Sequence, residues 1–399
     1  MRTRRRSPIR ILAVLVPVAL IAGIWLGGHP SSLPGFARNT LVADSSGRLY
    51  DEALGLIRHD YYRPVDTRRL LDTSLSAAVT SLRDRFSSYL SPSSYQDFQD
   101  STSGRFTGIG VSIAPDRRGR GLLVTEVFAR SPAQRAGLRS GDVIVAAGQS
   151  SLRGASVRAA SARIRGRPGT SVRLTWLRGR QRVTRAVRRA RVEVPVVQSR
   201  METAARHKIA WVRLASFTDG AHGEVSTAVR GLLAKGAQGV VLDLRDDGGG
   251  LLNEAVLVAS IFLPDGKVVT TRGRARPEHV YDATGGAIPG RIPVAVLVNG
   301  NTASASEIVT GALQDRHRAT VVGTHTFGKG VFQEIERLSN GGALDITVGE
   351  YFLPSGRNLG GGGVRRGAGI TPDVQARDDP GTSRDEALRA ALATVAKRL

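Results

Sequence analysis

Residues 294–313, VAVLVNGNTASASEIVTGAL, combine a continuous apolar run with a turn and a helical pattern. An uninterrupted apolar run such as 294–298 is typical of a strand that is covered on both faces of a sheet. The segment 240–244, VVLDL, has the same character and is also followed by a glycine-rich turn and a helical pattern. Strand and helix patterns alternate in this way from about residue 192 onward, which predicts an α/β fold.

Ser304 stands where the predicted strand passes into the predicted helix. A serine at such a junction presents its hydroxyl near the unpaired N–H groups of the first helical turn. Those groups can stabilise the negative charge that develops during acyl transfer, so Ser304 is a candidate nucleophile. Serines also cap helices routinely, and this run alone therefore leaves a purely structural role open.

A lysine between two glycines, in GTHTFGKG at 323–330, supplies a candidate base. Burial among small and apolar residues would lower the pKa of Lys329, so that its neutral amine could take the proton from Ser304. Ser–Lys pairs are an established variant of the catalytic triad. The alternatives are a surface lysine in a turn, or His325 as the base, for which no carboxylate partner is evident.

Short alternating strands separated by glycine-containing turns are predicted between residues 104 and 191. The sequence FTGIGVSI at 106–113 is a glycine-punctuated loop that runs into a strand. Its N–H groups could hold a terminal carboxylate while the strand edge pairs with a peptide, so the candidate peptide-binding residues are Gly108, Ile109, Gly110 and Val111. The motifs SPAQRAGL at 131–138 and GDVI at 141–144 resemble those of a PDZ domain. A β-rich spacer that binds nothing is the alternative.

The serine and lysine segments, in this order, resemble the carboxyl-terminal processing (tail-specific) serine proteases. Further matches are DLR at 243–245, GGLL at 249–252, PSGR at 354–357 and GITPD at 369–373. The resemblance covers roughly residues 45–375. It implies a crotonase-like α/β protease core, with an inserted or preceding PDZ-like domain that recruits substrate tails, and it implies no cofactor.

The resemblance also implies a role for each matching residue. Ser304 falls on the nucleophile of the family, Lys329 on its general base and Gln333 on the group that orients the lysine. The oxyanion hole corresponds to the backbone N–H groups of Ala305 and of one glycine in the pair Gly249 and Gly250.

The loop before these two glycines departs from the family pattern. The family usually has Asn-Pro there, whereas this chain has Asp247 and Gly248. We expect a more flexible and more acidic loop that holds the oxyanion donor less firmly, so that activity would depend on binding of a substrate or partner.

The N-terminus predicts the compartment. Five arginines within residues 1–10 precede the uncharged segment 11–28, ILAVLVPVALIAGIWLGG. At about 1.5 Å per residue this helix would be roughly 27 Å long, enough for one membrane crossing. The basic flank places the N-terminus in the cytoplasm and the bulk of the chain outside it, as in a single-pass bacterial cell-membrane protein. A cleaved signal peptide is the alternative and predicts the same compartment.

Composition excludes several classes of function. The chain has no cysteine, which rules out disulfides, thiolate catalysis and iron–sulfur clusters, and its seven histidines form no HExxH motif, so no metal site is expected. Much of the net charge of +23 comes from thirteen arginines between 153 and 191. An extracytoplasmic position and an aromatic content of 5% argue against a nucleic-acid partner. The arginine-rich face is either a solvated surface or one attracted to acidic lipid headgroups or an anionic cell-wall polymer.

Seven segments are predicted: a cytoplasmic basic tail 1–10, a transmembrane anchor 11–28, a linker 29–44, an N-terminal helical segment 45–103, a PDZ-like domain 104–191, a protease core 192–377 and a C-terminal tail 378–399. The helical segment is a packing or dimerisation element, so a homo-oligomer is possible. The predicted function is a membrane-anchored endopeptidase that cleaves proteins recruited by accessible apolar C-terminal tails. The alternative is a non-catalytic or permanently gated PDZ-bearing scaffold, against which the joint presence of Ser304, Lys329 and Gln333 argues.

Overall fold

The computed structural model describes residues 45–379 and 381–399. The predicted basic tail, transmembrane anchor and linker, residues 1–44, lie outside these residues. Within the described ranges, no helix has the length and apolar character needed to cross a membrane. The chain divides after Ala78 into two compact units.

The regular elements are numbered here in chain order. The helices of the described residues are α1 Ser45–Asp60, α2 Thr67–Thr80, α3 Pro92–Thr102, α4 Pro132–Arg135, α5 Val157–Ile164, α6 Ala221–Ala234, α7 Leu252–Ser260, α8 Ala305–Asp315 and α9 Glu386–Ala396. The strands up to residue 193 are β1 Ser88–Leu90, β2 Arg105–Gly108, β3 Val111–Pro115, β4 Leu122–Val127, β5 Val143–Ala147, β6 Ser150–Ser151, β7 Ser171–Arg178, β8 Gln181–Arg188 and β9 Ala190–Glu193. The later strands are β10 Val197–Ala204, β11 His207–Leu214, β12 Gly239–Asp243, β13 Lys267–Gly273, β14 Arg276–Asp282, β15 Val294–Val298, β16 Thr320–Gly323, β17 Val331–Arg337, β18 Ala343–Phe352 and β19 Val374–Gln375.

The first unit contains α1 and most of α2. Asp66 caps the start of α2, because its Oδ1 accepts the N–H groups of Arg68 and Arg69 at 3.0 and 3.2 Å. Helix α1 exposes apolar side chains such as Leu49 and Leu56.

The centre of the second unit is a six-stranded sheet in the order β10-β11-β12-β15-β16-β19. All neighbouring strands from β11 to β19 are parallel, and β10 is an antiparallel edge strand. Every residue of β12 and β15 is buried. The apolar runs at 240–244 and 294–298 are therefore confirmed as central strands of an α/β sheet covered on both faces.

Two layers cover the faces of this sheet. On one face Leu242 and Val296 pack with the buried sides of α6, α7 and α8. On the other face Val241 and Leu297 pack against α9. The segment predicted as a C-terminal tail thus completes the core, since α9 buries Ala387, Leu388, Ala391, Leu392 and Val395 there.

The predicted PDZ-like segment forms its own sheet and core. The sheet has the order β3-β4-β5-β7-β8, with β6 paired to β5, and it encloses a cluster that includes Ile109, Leu174 and Trp176. The strands that enter and leave this domain, β2 and β9, pair with each other in antiparallel fashion. The domain is therefore inserted between α3 and the central sheet, which is one of the two arrangements that the sequence left open.

A second antiparallel sheet adjoins the core. It has the order β1-β18-β13-β14, and β17 also pairs with β18. Strand β1 aligns Ser88 with Asp345, so the segment that follows α2 reaches the same sheet as the residues after Lys329.

Candidate active site

Ser304 stands between β15 and α8 in a strained backbone conformation, with φ of 58° and ψ of −119°. A positive φ at a residue other than glycine costs about 1–3 kcal/mol and is typical of a serine presented on a tight strand-to-helix turn. Hydrogen bonds fix the turn on both sides. The Ala303 N–H donates to the main-chain oxygen of Asp247 at 3.0 Å, and Thr302 Oγ1 donates to the Leu244 oxygen at 2.8 Å.

The side-chain nitrogen of Lys329 lies between a polar amide and an aromatic ring. Its Nζ donates to Gln333 Oε1 at 2.7 Å and lies 4.7 Å from the centre of the Phe86 ring. Burial lowers the pKa of Lys329, while the nearby carboxylates of Asp345 and Asp84 oppose this shift. The lowered pKa makes the neutral amine more accessible than in a solvent-exposed lysine, which is the direction expected for a base.

Gln333 is itself held in one orientation. Its Nε2 donates to Thr347 Oγ1 at 2.9 Å, so Oε1 faces the lysine. Gln333 on β17 and Thr347 on β18 are directly opposite each other in the pairing of these two strands. The interval of four residues between Lys329 and Gln333 is thus spanned by extended chain rather than by a helical turn.

Glu307, on the first turn of α8, connects the serine and lysine segments. Its Oε2 accepts the N–H groups of Ser304 and Lys329 at 2.9 and 3.1 Å. Its Oε1 accepts Thr326 Oγ1 at 2.5 Å and the Gly328 N–H at 2.7 Å. The carboxylate is fully buried, and no role had been predicted for it. The sequence signal that could have identified Glu307 is its position three residues after the serine that begins the helix, as in a capping box.

The predicted oxyanion-hole residues lie beside the nucleophile, but they are not equivalent. A Cβ added to Gly249 would lie 2.9 Å from both Ala305 N and Ser304 Cβ, which places Gly249 against the serine turn. Within the described residues, the N–H groups of Ala305 and Gly250 donate no hydrogen bond, whereas the Gly249 N–H donates to Asp247 Oδ1 at 2.8 Å.

The loop that contains Asp247 is tightly bound, contrary to the flexibility expected from its Asp-Gly sequence. The main-chain oxygen of Asp247 accepts hydrogen bonds from the Ala303 N–H and from Ser306 Oγ, both at 3.0 Å. The side chain of Asp246 accepts the amides of Asn299 and Asn301, both at 2.9 Å. These bonds all reach the serine turn and therefore connect the two segments directly.

Two observations concern the identity of the base. In the described part of the chain, no hydrogen bond joins Ser304 Oγ to Lys329 Nζ. His325, the rival base, is exposed, and its Nε2 lies 3.2 Å from Thr371 Oγ1. No carboxylate of a described residue forms an ion pair with His325, whereas the Lys329 amine is partly buried and bound to Gln333.

A groove of about 280 Å³ lies along the edge of the PDZ-like sheet. It is bounded by the edge strand β3 and by α5, with apolar walls that include Phe106, Phe128 and Ile164. Gly108, Ile109 and Val111 line this groove, and Gly110 stands between the last two. Within the described residues the N–H groups of Ile109 and Gly110 donate no hydrogen bond, as a carboxylate-binding loop requires.

The chain resembles known proteins in both of its larger domains. The model of peptidase family S41 matches residues 208–376, and that of the PDZ domain matches residues 97–177. The carboxy-terminal-processing protease of Bartonella bacilliformis is 35% identical over 325 residues, which cover 80% of this chain and 72% of that protein. The carboxyl-terminal-processing protease of Synechocystis sp. is 33% identical over 378 residues, covering 91% of this chain and 87% of that protein.

A solved structure extends the similarity to the fold. The photosystem II D1 C-terminal processing protease is 28% identical to this chain and superposes with a TM-score of 0.52. The superposition covers 90% of this chain and 100% of that chain. It therefore includes the inserted domain as well as the central sheet.

Proposed function

Because this chain belongs to peptidase family S41, among the carboxyl-terminal-processing serine proteases, we propose that it cleaves peptide bonds with Ser304 as nucleophile and Lys329 as general base. The observation that carries this proposal is the buried carboxylate of Glu307. It binds the backbone of the strained serine and the backbone of the lysine through the same oxygen atom. Glu307 thereby holds close together the proposed nucleophile, Ser304, and its proposed base, Lys329.

The proposed reaction begins with the neutral amine of Lys329. Its lone pair takes the proton of Ser304 as Oγ attacks the carbonyl carbon of the substrate. The negative charge on the carbonyl oxygen is stabilised by the Ala305 N–H and by an N–H of the pair Gly249 and Gly250. The leaving amine takes the proton from Lys329, and a water molecule activated by the same lysine then hydrolyses the acyl-enzyme.

Gln333 has a defined part in this scheme. Its Oε1 can only accept, so its bond to Nζ uses a proton of the amine and leaves the lone pair of neutral Lys329 free. Since Thr347 fixes the amide, Gln333 orients that lone pair. Gln333 is therefore a positioning residue for the base.

We further propose that the PDZ domain recruits protein substrates by their C-terminal tails. The unpaired N–H groups of Ile109 and Gly110 suit a terminal carboxylate, and the apolar groove walls suit an apolar last side chain. The proposal includes a crotonase-like core, a single-pass anchor at 11–28, an extracytoplasmic location in a bacterium and possible homo-oligomers.

Cleavage of a defined substrate tests the proposed dyad. The full-length chain is incubated with an unfolded reporter protein that ends in an apolar residue, and Ser304→Ala, Lys329→Ala and His325→Ala are compared. We expect cleavage by the wild type and by His325→Ala, and a loss of at least about 1000-fold in the other two variants. Full activity of Lys329→Ala would contradict the dyad. Absence of cleavage by the wild type would favour the gated or non-catalytic scaffold.

A further inference from the structure

Asp247 is a buried acid beside the nucleophile that the proposed reaction does not use. Its side chain is 0% exposed. Oδ1 accepts the Gly249 N–H at 2.8 Å, and Oδ2 has no hydrogen-bond partner among the described residues. A buried polar atom without a partner is costly, and it commonly marks a group with a function.

The position of this carboxyl group relative to the oxyanion follows from Gly249. The Gly249 backbone lies against Ala305 N and Ser304 Cβ, and its own N–H is bound to Asp247. A negative charge on Asp247 would therefore stand close to the negative charge of the tetrahedral intermediate. Like charges repel strongly in a site from which water is excluded, so an ionised Asp247 opposes the transition state.

We propose that Asp247 is a positioning residue for the oxyanion loop and that Ser304 is acylated while the Asp247 carboxyl group is neutral. The inference rests on the proposed function of Ser304. The neutral carboxyl still accepts the Gly249 N–H and preserves the loop, but it carries no charge. The ionised carboxylate binds the same N–H in a stronger, charge-assisted bond and withholds it from the substrate.

The electrostatic environment supports a neutral form near physiological pH. Burial raises the pKa of Asp247 to about 7, against the hydrogen bond from Gly249, the nearby Ser306 hydroxyl and the charge of Arg213 on β11. The 3.0 Å hydrogen bond of that hydroxyl goes to the main-chain oxygen of Asp247, not to Oδ2. Asp246, on the same loop, is the other acid close by, and hydrogen bonds from Asn301 and Asn299 lower its pKa. It therefore stays ionised where Asp247 titrates.

Titration of the other groups of the site raises the reaction rate with rising pH, whereas ionisation of Asp247 is expected to lower it. Lys329 must lose a proton to act as a base, so its titration raises the rate with rising pH. Glu307, on α8, accepts four hydrogen bonds that require a carboxylate, so its protonation at low pH would also lower the rate. Burial raises the pKa of Glu307, against the hydrogen bonds it accepts. Among the described groups that face the oxyanion loop, Asp247 alone predicts a loss of rate as the pH rises.

The test measures single-turnover phosphonylation of Ser304 by a fluorophosphonate, which places a charged P–O oxygen in the same oxyanion site, from about pH 5 to about pH 10. The bond from Ser304 Oγ to phosphorus forms, the phosphorus–fluorine bond breaks, fluoride leaves and the serine proton passes to Lys329. The readout is the ratio of the Asp247→Asn rate to the wild-type rate, from which the titration of Lys329 cancels. We expect a constant ratio below about pH 7 and an increase of about tenfold per pH unit above it.

A matched control is the neighbouring substitution Asp246→Asn, which removes one charge from the same loop. Because Asp246 is ionised throughout the assay range, the ratio of the Asp246→Asn rate to the wild-type rate should not change with pH. A ratio for Asp247→Asn that is independent of pH, or the same pH-dependent ratio in both variants, overturns the inference.

The outcomes separate this inference from the proposed function. Labelling of the wild type that Ser304→Ala abolishes, together with a flat Asp247→Asn ratio, overturns the role of Asp247 and leaves the nucleophile in place. Absence of Ser304 labelling at every pH overturns both proposals. If Asp247→Asn does not fold, the wild-type profile decides, because a rate that still rises about tenfold per pH unit above about pH 8 contradicts a requirement for neutral Asp247, whereas a falling limb supports it.

Discussion

The two acids behind the nucleophile, Glu307 and Asp247, are both fully buried but differ in their hydrogen bonds. Glu307 accepts four donors and needs the charged form to satisfy them. Asp247 accepts one donor at its side chain and leaves an oxygen without a partner among the described residues. Burial raises the pKa of both acids and the hydrogen bonds that each accepts oppose this shift, and Glu307 accepts the larger number of them.

The substitution Glu307→Gln should weaken the hydrogen bonds to both the Ser304 backbone and the Lys329 backbone. The glutamine amide has one acceptor oxygen and brings an NH₂ donor toward the N–H groups that the carboxylate binds. We expect kcat/KM to fall at least about 100-fold, and the free energy of unfolding to fall by about 1–3 kcal/mol. Peptide cleavage and denaturant unfolding measure the two effects, with Glu334→Gln on β17 as the control. Unchanged kcat/KM would show that Glu307 is not needed to hold Ser304 and Lys329 together.

Asp247 also predicts how stability depends on pH. The pKa of this carboxyl is raised by burial to about 7 in the folded chain, whereas it is near 4 in an unfolded chain. Its contribution therefore lowers the free energy of unfolding as the pH rises from about 4 to about 7, and the cost is complete above that range. Asp247→Asn should be more stable than the wild type at about pH 8, by at most about 4 kcal/mol, with the excess shrinking toward about pH 4.

Denaturant unfolding of both proteins at the two pH values provides this measurement, and it does not depend on proteolysis. Asp246→Asn is again the control, because its pKa is lowered rather than raised. An excess stability of Asp247→Asn that is equal at both pH values would mean that Asp247 does not titrate in this range.

Sequence patterns predicted the position of Ser304 more fully than the environment of Lys329. The serine turn is local, since it follows one buried strand and begins one helix. The surroundings of the lysine come from distant parts of the chain, namely Phe86 before β1 and Asp345 on β18. Antiparallel pairing between β1 and β18 creates this proximity, and neither strand has a pattern that specifies its partner.

At the scale of elements, the strands covered on both faces were the ones that the sequence predicted well. Their continuous apolar runs at 240–244 and 294–298 have no other stable location. The C-terminal helix was harder to place, because its amphipathic pattern does not say which surface it covers. Arg245 supplies the missing connection, since it binds Asp243 at the end of β12 and Asp385 at the start of α9. The DLR motif therefore has a structural role.

A similar ion pair explains the aspartate of the GDVI motif in the PDZ domain. Asp142 is 1% exposed and accepts Arg178 Nε and Nη2 at 2.8 and 2.7 Å, in a bidentate arrangement. Arg178 also donates to the Gly137 oxygen. One arginine on β7 thus fixes the turn that precedes β5 and the end of the segment 131–138.

Arg178→Ala should destabilise this domain selectively. Removal of the guanidinium leaves a buried carboxylate with fewer donors, at a cost of about 1–3 kcal/mol for a partly exposed pair. Hydrogen exchange should show loss of protection in β5 and β7, with the protection of β12 and β15 retained. Arg182→Ala on the neighbouring strand β8, where the arginine is exposed, is the control. Equal protection in the two variants would contradict this role of Arg178.

At the scale of the whole chain, the PDZ domain is an insertion whose first and last strands, β2 and β9, pair with each other. Its groove begins where this pairing ends, since Phe106 on β2 and Val194 after β9 both line it. A peptide in the groove would therefore contact the connection between the two domains as well as the PDZ sheet. A substitution in the groove alone can then distinguish binding of the substrate tail from cleavage of the peptide bond.

Gly110→Ala is suited to that separation. Gly110 has a φ of +82°, and an added Cβ would collide with Ser131 in the loop proposed to bind the carboxylate. For a substrate with an apolar C-terminal tail we expect KM to rise about tenfold or more with kcat unchanged, because binding and not chemistry is affected. Amidation of the substrate C-terminus should raise KM of the wild type similarly and have little further effect in Gly110→Ala.

Gly148→Ala supplies the matched control. Gly148 has a φ of +62° in the same domain, but an added Cβ there would meet no atom within 4 Å. It thus carries a comparable backbone strain without closing the groove, and KM should stay near that of the wild type. Equal KM values for free and amidated tails in the wild type would contradict carboxylate recognition. A fall in kcat of Gly110→Ala with unchanged KM would instead assign this loop to the control of catalysis.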